Sequence, residues 1–331
     1  MNVFAGIDIA AKSFDLVIRC NGKNRAVERF EQTPEGHDKA ARKLATLSPE
    51  RVVMEATGIY FLDLALRLYE AGLKISVINP KSFHRFAELK LNGTKTDAID
   101  SALLAEYGER MEPRLWTPPA TEHLALRDIG RQINRLIHAR TQAKNRLHAL
   151  RASKGTPALL VEDEQEGVEW LDCRINRLSQ AAKELILQSQ TLEEPWHNMM
   201  AAKGIGEASA IAILAELAVL PEQMKSPQVS RHAGLDVRLT QSGTSVNKPG
   251  RLHRAGNAYL RSALFMPAMC AARYQPETKA FYDALLARGK KKRQAQCAVM
   301  RKYLTGLWAC IRTGTPFDAK LLFSAEHQKT A

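Results

Sequence analysis

Acid is what this 331-residue chain is short of: 35 Asp and Glu stand against 48 Lys and Arg, a formal net charge of +13. That imbalance favours a polyanionic partner, held by phosphate neutralisation and counterion release. Aromatic residues are also scarce, at 6%, and no RRM-type aromatic motif is present, so recognition by base stacking is not evident. The five cysteines (Cys20, Cys173, Cys270, Cys297 and Cys310) show no CxxC spacing. This excludes a zinc ribbon and points to reduced thiols in a cytosol rather than a disulfide framework. No apolar run reaches the length of about 18 residues that a membrane span needs, and the N-terminus lacks a signal-peptide pattern. A cytoplasmic protein with no membrane partner is therefore expected. Internal repeats and long low-complexity tracts are absent as well.

What is present begins with β-structure. "NVFAGIDIAAKSFDLVIRC" (2–20) reads as strand, turn and strand, "NGKNR" (21–25) as a hairpin turn, and "AVERFEQ" (26–32) as a third antiparallel strand. Thr33 as N-cap and Pro34 at the first helical position open a helix. "RVVMEAT" (51–57) is a buried strand, "GIYFLDLALRLYEAG" a helix ending at Gly72, and "KISVIN" (74–79) a fifth strand stopped by Pro80. Helical patterns follow at about 81–90 and 96–110. A three-strand meander followed by two strand–helix units builds a mixed sheet with helices on its faces. The order looks like the ribonuclease-H-like fold, in which the first strand is central and lies beside the fourth.

The texture then changes. From 119 to 190 apolar residues recur at helical spacing among Arg and Lys, interrupted by "KGTPALLVEDEQEG". Two long helices with a break predict an antiparallel hairpin or a dimerising coiled coil, against the plainer alternative of a solvated helical linker. Domains are expected at 1–115 (α/β), 116–192 (helical connector and oligomerisation element) and 193–331 (mainly α), with a loosely held tail after 316.

Two acids stand out in apolar strands. Asp8 lies inside the first and Glu55 near the end of the fourth, and a buried carboxylate is costly unless paired, hydrogen-bonded or bound to metal. If those strands are neighbours, both side chains face one cleft. Asp97 and Asp100, three apart in "KTDAIDSALLAEY", share a helix face. Four such carboxylates would repel unless divalent cations lie between them, and hard oxygen ligands suit Mg²⁺ or Mn²⁺. Two ions per site would stabilise attacking and leaving oxygens in phosphoryl transfer. Asp15, Asp38 and Asp63 read as solvated acids.

Two further stretches carry chemistry. "KGIGEAS" (203–209) resembles half a helix-hairpin-helix: Gly204 and Gly206 allow a tight turn after Lys203, and the next helix N-terminus offers N–H groups to a phosphate. "LTQSGTSVNKPGRLHRAGNAYLRS" (239–262) sets Ser242 and Ser245 among Lys248, Arg251, Arg254 and Arg261, a basic surround suited to nucleic acid. His232 and His253 read as phosphate contacts or surface residues. "RGKKKR" (288–293) fits either a solvated basic face or a nonspecific nucleic-acid grip.

The motifs "GIDIAAKSFD", "VVMEATGIY", "NPKSFHRFAELKLNGTKTDAIDSALLAEY", "KGIGEASAIAILAEL", "HAGLDVRLTQSGTSV" and "GRLHRAGNAYLRSALF", in this order, resemble the DEDD-type transposases of insertion sequences, relatives of the Piv-type DNA invertases. The resemblance runs over roughly residues 2–314. It implies a RuvC-like catalytic domain, a helical connector and a C-terminal transposase domain, with the acidic tetrad on Asp8, Glu55, Asp97 and Asp100. It also implies that the serine of the Ser-Gly pair attacks the DNA backbone to give a phosphoserine link, which favours Ser242 over Ser245. A dimer or tetramer, double-stranded donor and target DNA, and a structured non-coding guide RNA are the partners it implies. Two rivals share the strand order. A Holliday-junction resolvase needs the same four acids but no nucleophilic serine. A sugar-kinase or actin-like ATPase would need further Gly-rich phosphate loops downstream, and none follows a strand here.

Overall fold

The structure, a computed structural model, describes residues 2–56, 58, 60–90, 97–242, 246–252 and 256–323, with side chains for all of these except 97, 98, 239–242 and 246–249. It divides into two compact units, Met1–Pro118 and Pro119–Ala331. Among the described residues no helix is long and apolar enough to cross a membrane.

In the first unit, β1 (Val3–Ile9) and β2 (Ser13–Cys20) pair antiparallel from Val3↔Cys20 to Ile9↔Phe14. Asn21 and Gly22, at φ 46° and 78°, supply the left-handed backbone that a tight return requires. The expected third strand splits into β3 (Lys23–Asn24) and β4 (Glu28–Glu31), both paired with β2. Helix α1 (Pro34–Leu47) starts as its sequence predicts, with the Thr33 hydroxyl accepting from Gly36 N. Strand β5 (Arg51–Glu55), helix α2 (Phe61–Glu70), strand β6 (Ile75–Ile78), helix α3 (Pro80–Leu89, capped by Asn79) and helix α4 (Asp97–Met111) complete the unit. The main sheet order is β3-β2-β1-β5-β6, with β1, β5 and β6 parallel, so the first strand is central and lies beside the fourth long strand, as expected.

Strand alternation sorts the sheet into two faces. Ala5, Ile7, Ile9, Phe14, Leu16, Val52 and Met54 form one core with α1 and α2. Val53 and Ile78 form another with Phe83 and Phe86 of α3 and Leu103 and Leu104 of α4. Helix and strand pack very closely at Gly6, where a Cβ would lie 2.1 Å from Ser101 O and 2.3 Å from Ala105 N. No residue larger than glycine lets α4 rest on β1 at that distance.

The second unit is helical. Helices α5 (Thr121–Ala152) and α6 (Ala158–Gln188) run antiparallel, bridged by Arg140–Asp172 at 2.6 Å and Arg146–Glu164 at 2.7 Å. The pairing realises the hairpin alternative within one chain. The break is shorter than expected: residues from Ala158 on are already helical, with Glu164 and Val168 turned to α5. Then follow α7 (Gln190–Met200), α8 (Glu207–Leu217), α9 (Ser226–His232), the hairpin β7 (Val237–Ser242) and β8 (Val246–Leu252), α10 (Ala258–Tyr274), α11 (Pro276–Ala287), α12 (Lys292–Thr313) and α13 (Ala319–Leu322). One core joins Leu126 of α5 and Ile186 of α6 to Ile213, Leu264, Tyr303 and Trp308. The segment after 316, expected to be loose, is docked up to Phe323: Phe317 and Phe323 are buried, with rings 5.0 Å from Tyr303 and 5.3 Å from Phe281. Residues beyond Phe323 lie outside the described region.

Candidate functional site

Strand register aligns the first two acids. Phe4 pairs with Arg51, Gly6 with Val53 and Ile7 with Met54, so Asp8 and Glu55 come next on the same face of neighbouring parallel strands, at their carboxyl ends. Ligands of open α/β sheets bind at such ends. Both side chains are partly exposed. The face is the one that α4 covers.

The packing of α4 fixes its direction. A Cβ on Gly108 would touch Val53 and Phe4, whereas Gly6 meets Ser101 to Ala105. Advancing from Phe4 to Gly6, about 6.6 Å of strand, moves back along α4 by five or so residues, about 7.5 Å of helix. The next two strand residues reach Asp8 and bring the first turn of α4 opposite it. That turn begins at Asp97 and contains Asp100. The backbone thus gathers Asp8, Glu55 and the start of α4 at one end of one sheet face. The side chain of Asp97 lies outside the described residues. Among the described residues no group of three or more acidic, histidine or cysteine side chains stands close enough to hold a metal ion. The donor set, carboxylates alone, is the kind that hard divalent cations take.

Asp15 departs from its reading as a solvated acid. It pairs directly across from Asp8, shares its face, and is 5% exposed. Arg29, its partner on β4, donates from Nε at 2.8 Å and Nη2 at 2.9 Å to its two oxygens. Along this rim the sheet therefore carries Arg29, Asp15, Asp8 and Glu55 on successive strands. The alternation Phe14, Asp15, Leu16 contained the signal, because it puts Asp15 on the face opposite the α1 core. Asp38, by contrast, sits at the surface bonded to Arg67, and Asp63 is exposed. On the same face Glu106 loses hydration through burial, but the Lys90 ammonium, bonded at 2.6 Å, and Arg110 hold its carboxyl below the usual range.

In the second unit the turn from α7 to α8 holds Lys203, Gly204 and Gly206. Gly204 has φ 91°, and a Cβ there would lie 2.7 Å from Pro267 O of α10. Tyr303, its hydroxyl pushed up to about 12 chiefly by burial, donates to Lys203 O at 3.1 Å. Glu207 already sits at the first position of α8, paired with Lys183 at 2.6 Å. Gly204 therefore serves helix packing, and the α8 N-terminus has an acid of its own beside it.

Ser242 is the last residue of β7, paired with Val246, and not part of a loop. Ser245 and Arg254 lie outside the described residues, as do the side chains of Ser242 and Lys248. Arg251 is exposed and pairs directly with Arg238, also exposed. Like charges facing each other across a strand pair repel, which suits a surface that receives an anion. Arg261 turns inward and donates to Ala233 O at 2.8 Å. His232, expected to be a phosphate contact or a surface residue, is partly buried, and that burial lowers its pKa despite Glu216 nearby.

Comparison with known proteins defines the class. Residues 5–151 match the DEDD-type IS110 transposase family and residues 197–283 match the transposase IS116/IS110/IS902 family. The chain is a DNA transposase, an enzyme of DNA recombination. It is 30% identical over 329 residues to the pilin gene-inverting protein of Moraxella bovis, covering 96% of this chain and 98% of the relative. It is 24% identical over 344 residues to the transposase for insertion sequence element IS1328 of Yersinia enterocolitica, covering 95% and 98%. The chain belongs to the IS110/IS116/IS902 family of insertion-sequence transposases. Among solved structures, Thermus thermophilus RuvC in complex with a Holliday junction substrate matches 34% of this chain and 96% of its own, at 18% identity and a TM-score of 0.27, a similarity too distant to build on.

Proposed function

We propose that this transposase cuts and rejoins DNA by two transesterifications, with Asp8, Glu55, Asp97 and Asp100 holding two Mg²⁺ or Mn²⁺ ions and Ser242 acting as nucleophile. The observation that carries the reading is the register just described: Asp8 and Glu55 adjacent on one face, with the first turn of α4 running antiparallel above them. Bound divalent ions would supply Lewis-acid stabilisation of the leaving oxygen. The Ser242 oxygen attacks phosphorus and gives up its proton. The phosphorus bond to the leaving DNA oxygen breaks, and that oxygen takes up a proton. The phosphoserine ester conserves the bond energy that hydrolysis would dissipate, so the hydroxyl of a new strand can displace the serine and restore it.

Donor and target duplexes are the expected DNA partners, and a structured non-coding RNA from the element's end is the guide. The excess of 48 basic over 35 acidic residues supports both. Lys203, Gly206, Ser245, Lys248, Arg251 and Arg254 are the nucleic-acid contacts in this reading, with Arg251 best supported by its exposed pairing with Arg238, while Gly204 shapes the turn that carries Lys203 and Gly206. Arg261 acts through the backbone it holds. The α5–α6 hairpin is the element for assembly into a dimer or tetramer in the bacterial cytoplasm.

The test incubates the full chain with labelled element-end DNA, its flanking transcript and Mg²⁺, then resolves products on a denaturing gel. Wild type should give a protein-linked strand, Ser242→Ala none, and Asp8→Asn or Asp100→Asn no cleavage while remaining folded. An adduct that survives Ser242→Ala but disappears in Ser245→Ala moves the nucleophile. Cleavage by wild type with no adduct at all favours a resolvase-like hydrolysis.

A further inference from the structure

The β7–β8 hairpin leaves the helical unit and returns to it at a single crossing. Asn257 N donates to His232 O at 2.7 Å, and Leu235 N donates to Ser230 O at 2.9 Å. Gly256 presses so close that a Cβ would stand 2.4 Å from Gly234 N and 2.5 Å from His232 O. Arg261 closes the crossing from above through Ala233 O. The whole segment carrying Ser242 is thus tethered at residues 232–235 and 256–257.

Beneath the crossing lies Glu216 of α8, 2% exposed. Arg131 of α5 donates to it from Nε at 2.7 Å and Nη2 at 2.9 Å. That bonding holds the guanidinium still more firmly protonated, and its Cζ lies over the Tyr259 ring, 5.0 Å from the centroid. Asn257 Nδ2 donates to Glu216 Oε2 at 2.5 Å, while its Oδ1 accepts from Leu260 N and caps α10. The His232 ring nitrogen Nε2 lies 3.4 Å from the same Nδ2. Asn257 is the one residue type that fits all of these demands. Aspartate would cap α10 equally well but would set a second carboxylate against Glu216, and serine has no amide donor.

A buried ion pair with an added amide is a poor source of net stability, because desolvation offsets most of the attraction. Its effect is to admit a single geometry, since a displaced partner leaves a buried charge unsatisfied. We propose that Glu216, Arg131 and Asn257 form a clamp that fixes how the β7–β8 hairpin leaves the helical unit, making Glu216 and Asn257 positioning residues for Ser242. The proposal rests on the reading of Ser242 as nucleophile. It also accounts for the "HAGLD" and "GNAYLR" stretches, whose histidine, asparagine and arginine are turned inward at the crossing.

The experiment uses the full chain as wild type, Asn257→Asp, Glu216→Gln and the double exchange Glu216→Gln with Asn257→Asp. The double exchange restores one donor facing one carboxylate beside Arg131. Three quantities are read: hydrogen exchange of amides in 237–252 with α12 as internal reference, the initial rate of adduct formation, and DNA affinity. Asn257→Asp should speed hairpin exchange at least about tenfold with α12 protection unchanged. It should slow adduct formation roughly a hundredfold with affinity altered less than about twofold, since misplacement by about 1 Å has that effect on rate. The double exchange should recover most of both losses. If Asn257→Asp also loosens α12, the milder Glu216→Gln decides the matter on the same readouts. Unchanged hairpin exchange in both single variants, or no recovery in the double exchange, overturns the clamp. Wild type that cleaves without any adduct overturns the assignment of Ser242 instead, and the clamp then stands or falls on hydrogen exchange alone.

Discussion

Replacing Gly6 by alanine tests the contact on which the proposed acidic site depends. The new methyl would start 2.1 Å from Ser101 O, 2.3 Å from Ala105 N and 2.9 Å from Leu104 C, all of them backbone atoms of α4. Reaching an ordinary separation of about 3.4 Å requires α4 to withdraw by roughly 1.1–1.3 Å. No flexible side chain can absorb that, so the helix moves as a body and opens gaps under Leu103 and Leu104, which are now 6% and 0% exposed. A gap of about 1 Å forfeits up to half of each dispersion contact. The cost should therefore lie at the upper end of the usual overpacking range, about 3 kcal/mol. For a unit of this size that lowers Tm by about 10–15 °C. Calorimetry on the full chain reads it directly. Gly108→Ala is the control: its Cβ would meet one Val53 methyl at 2.8 Å and no backbone atom of the strand, so a smaller displacement and a smaller loss are expected. Strand cleavage by Gly6→Ala should also fall about a hundredfold, because the first turn of α4 moves relative to Asp8. A Tm within about 2 °C of wild type would mean that α4 does not rest on β1 there, and the alignment of Asp8 with Asp97 and Asp100 would lose its basis.

Three other outcomes are expected. Arg29→Ala should cost about 2 kcal/mol in denaturant unfolding, because it strips both donors from Asp15, whose side chain is 6% exposed, whereas Asp15→Ala should cost about 1 kcal/mol, since Arg29 at 64% exposed is readily hydrated; equal costs would refute the asymmetry. Arg238→Ala should weaken DNA binding and flatten the slope of log K against log[salt] by about one unit, and an unchanged slope would remove Arg238 from the interface. His232 has a folded pKa depressed by burial below its ordinary 6.5, so the unfolded chain takes the proton first, and stability that is complete above pH 6.5 is lost as pH falls through the folded value. His37, depressed by burial in the same direction, adds a like loss in the first unit. His232→Gln should therefore reduce the fall in Tm between pH 7 and 5, a window above the titration of Glu106 and Asp172, and an unaltered pH slope would contradict the burial of His232.

The sequence by itself determined what is local. Strand alternation, the Thr33 cap, the Pro80 stop and the helix that carries Asp97 and Asp100 depend on neighbours within a few residues, and all recur in the folded chain. It also marked Asp8 and Glu55 as anomalies, since a carboxylate in an apolar strand needs a reason wherever that strand lies. Tertiary structure decided whatever depends on which distant segments meet. Asp15 looks like any surface acid until β4 brings Arg29 beside it. Residues 158–167 read as a break until α5 offers Arg146 and Leu147 as partners. Phe317 and Phe323 look like tail residues until Tyr303 and Phe281 provide a surface for them. Glu216 and Asn257 become a pair only when α8 and α10 lie side by side. Burial and pairing are properties of two surfaces in contact, and a linear sequence specifies each surface without stating which other one it will meet.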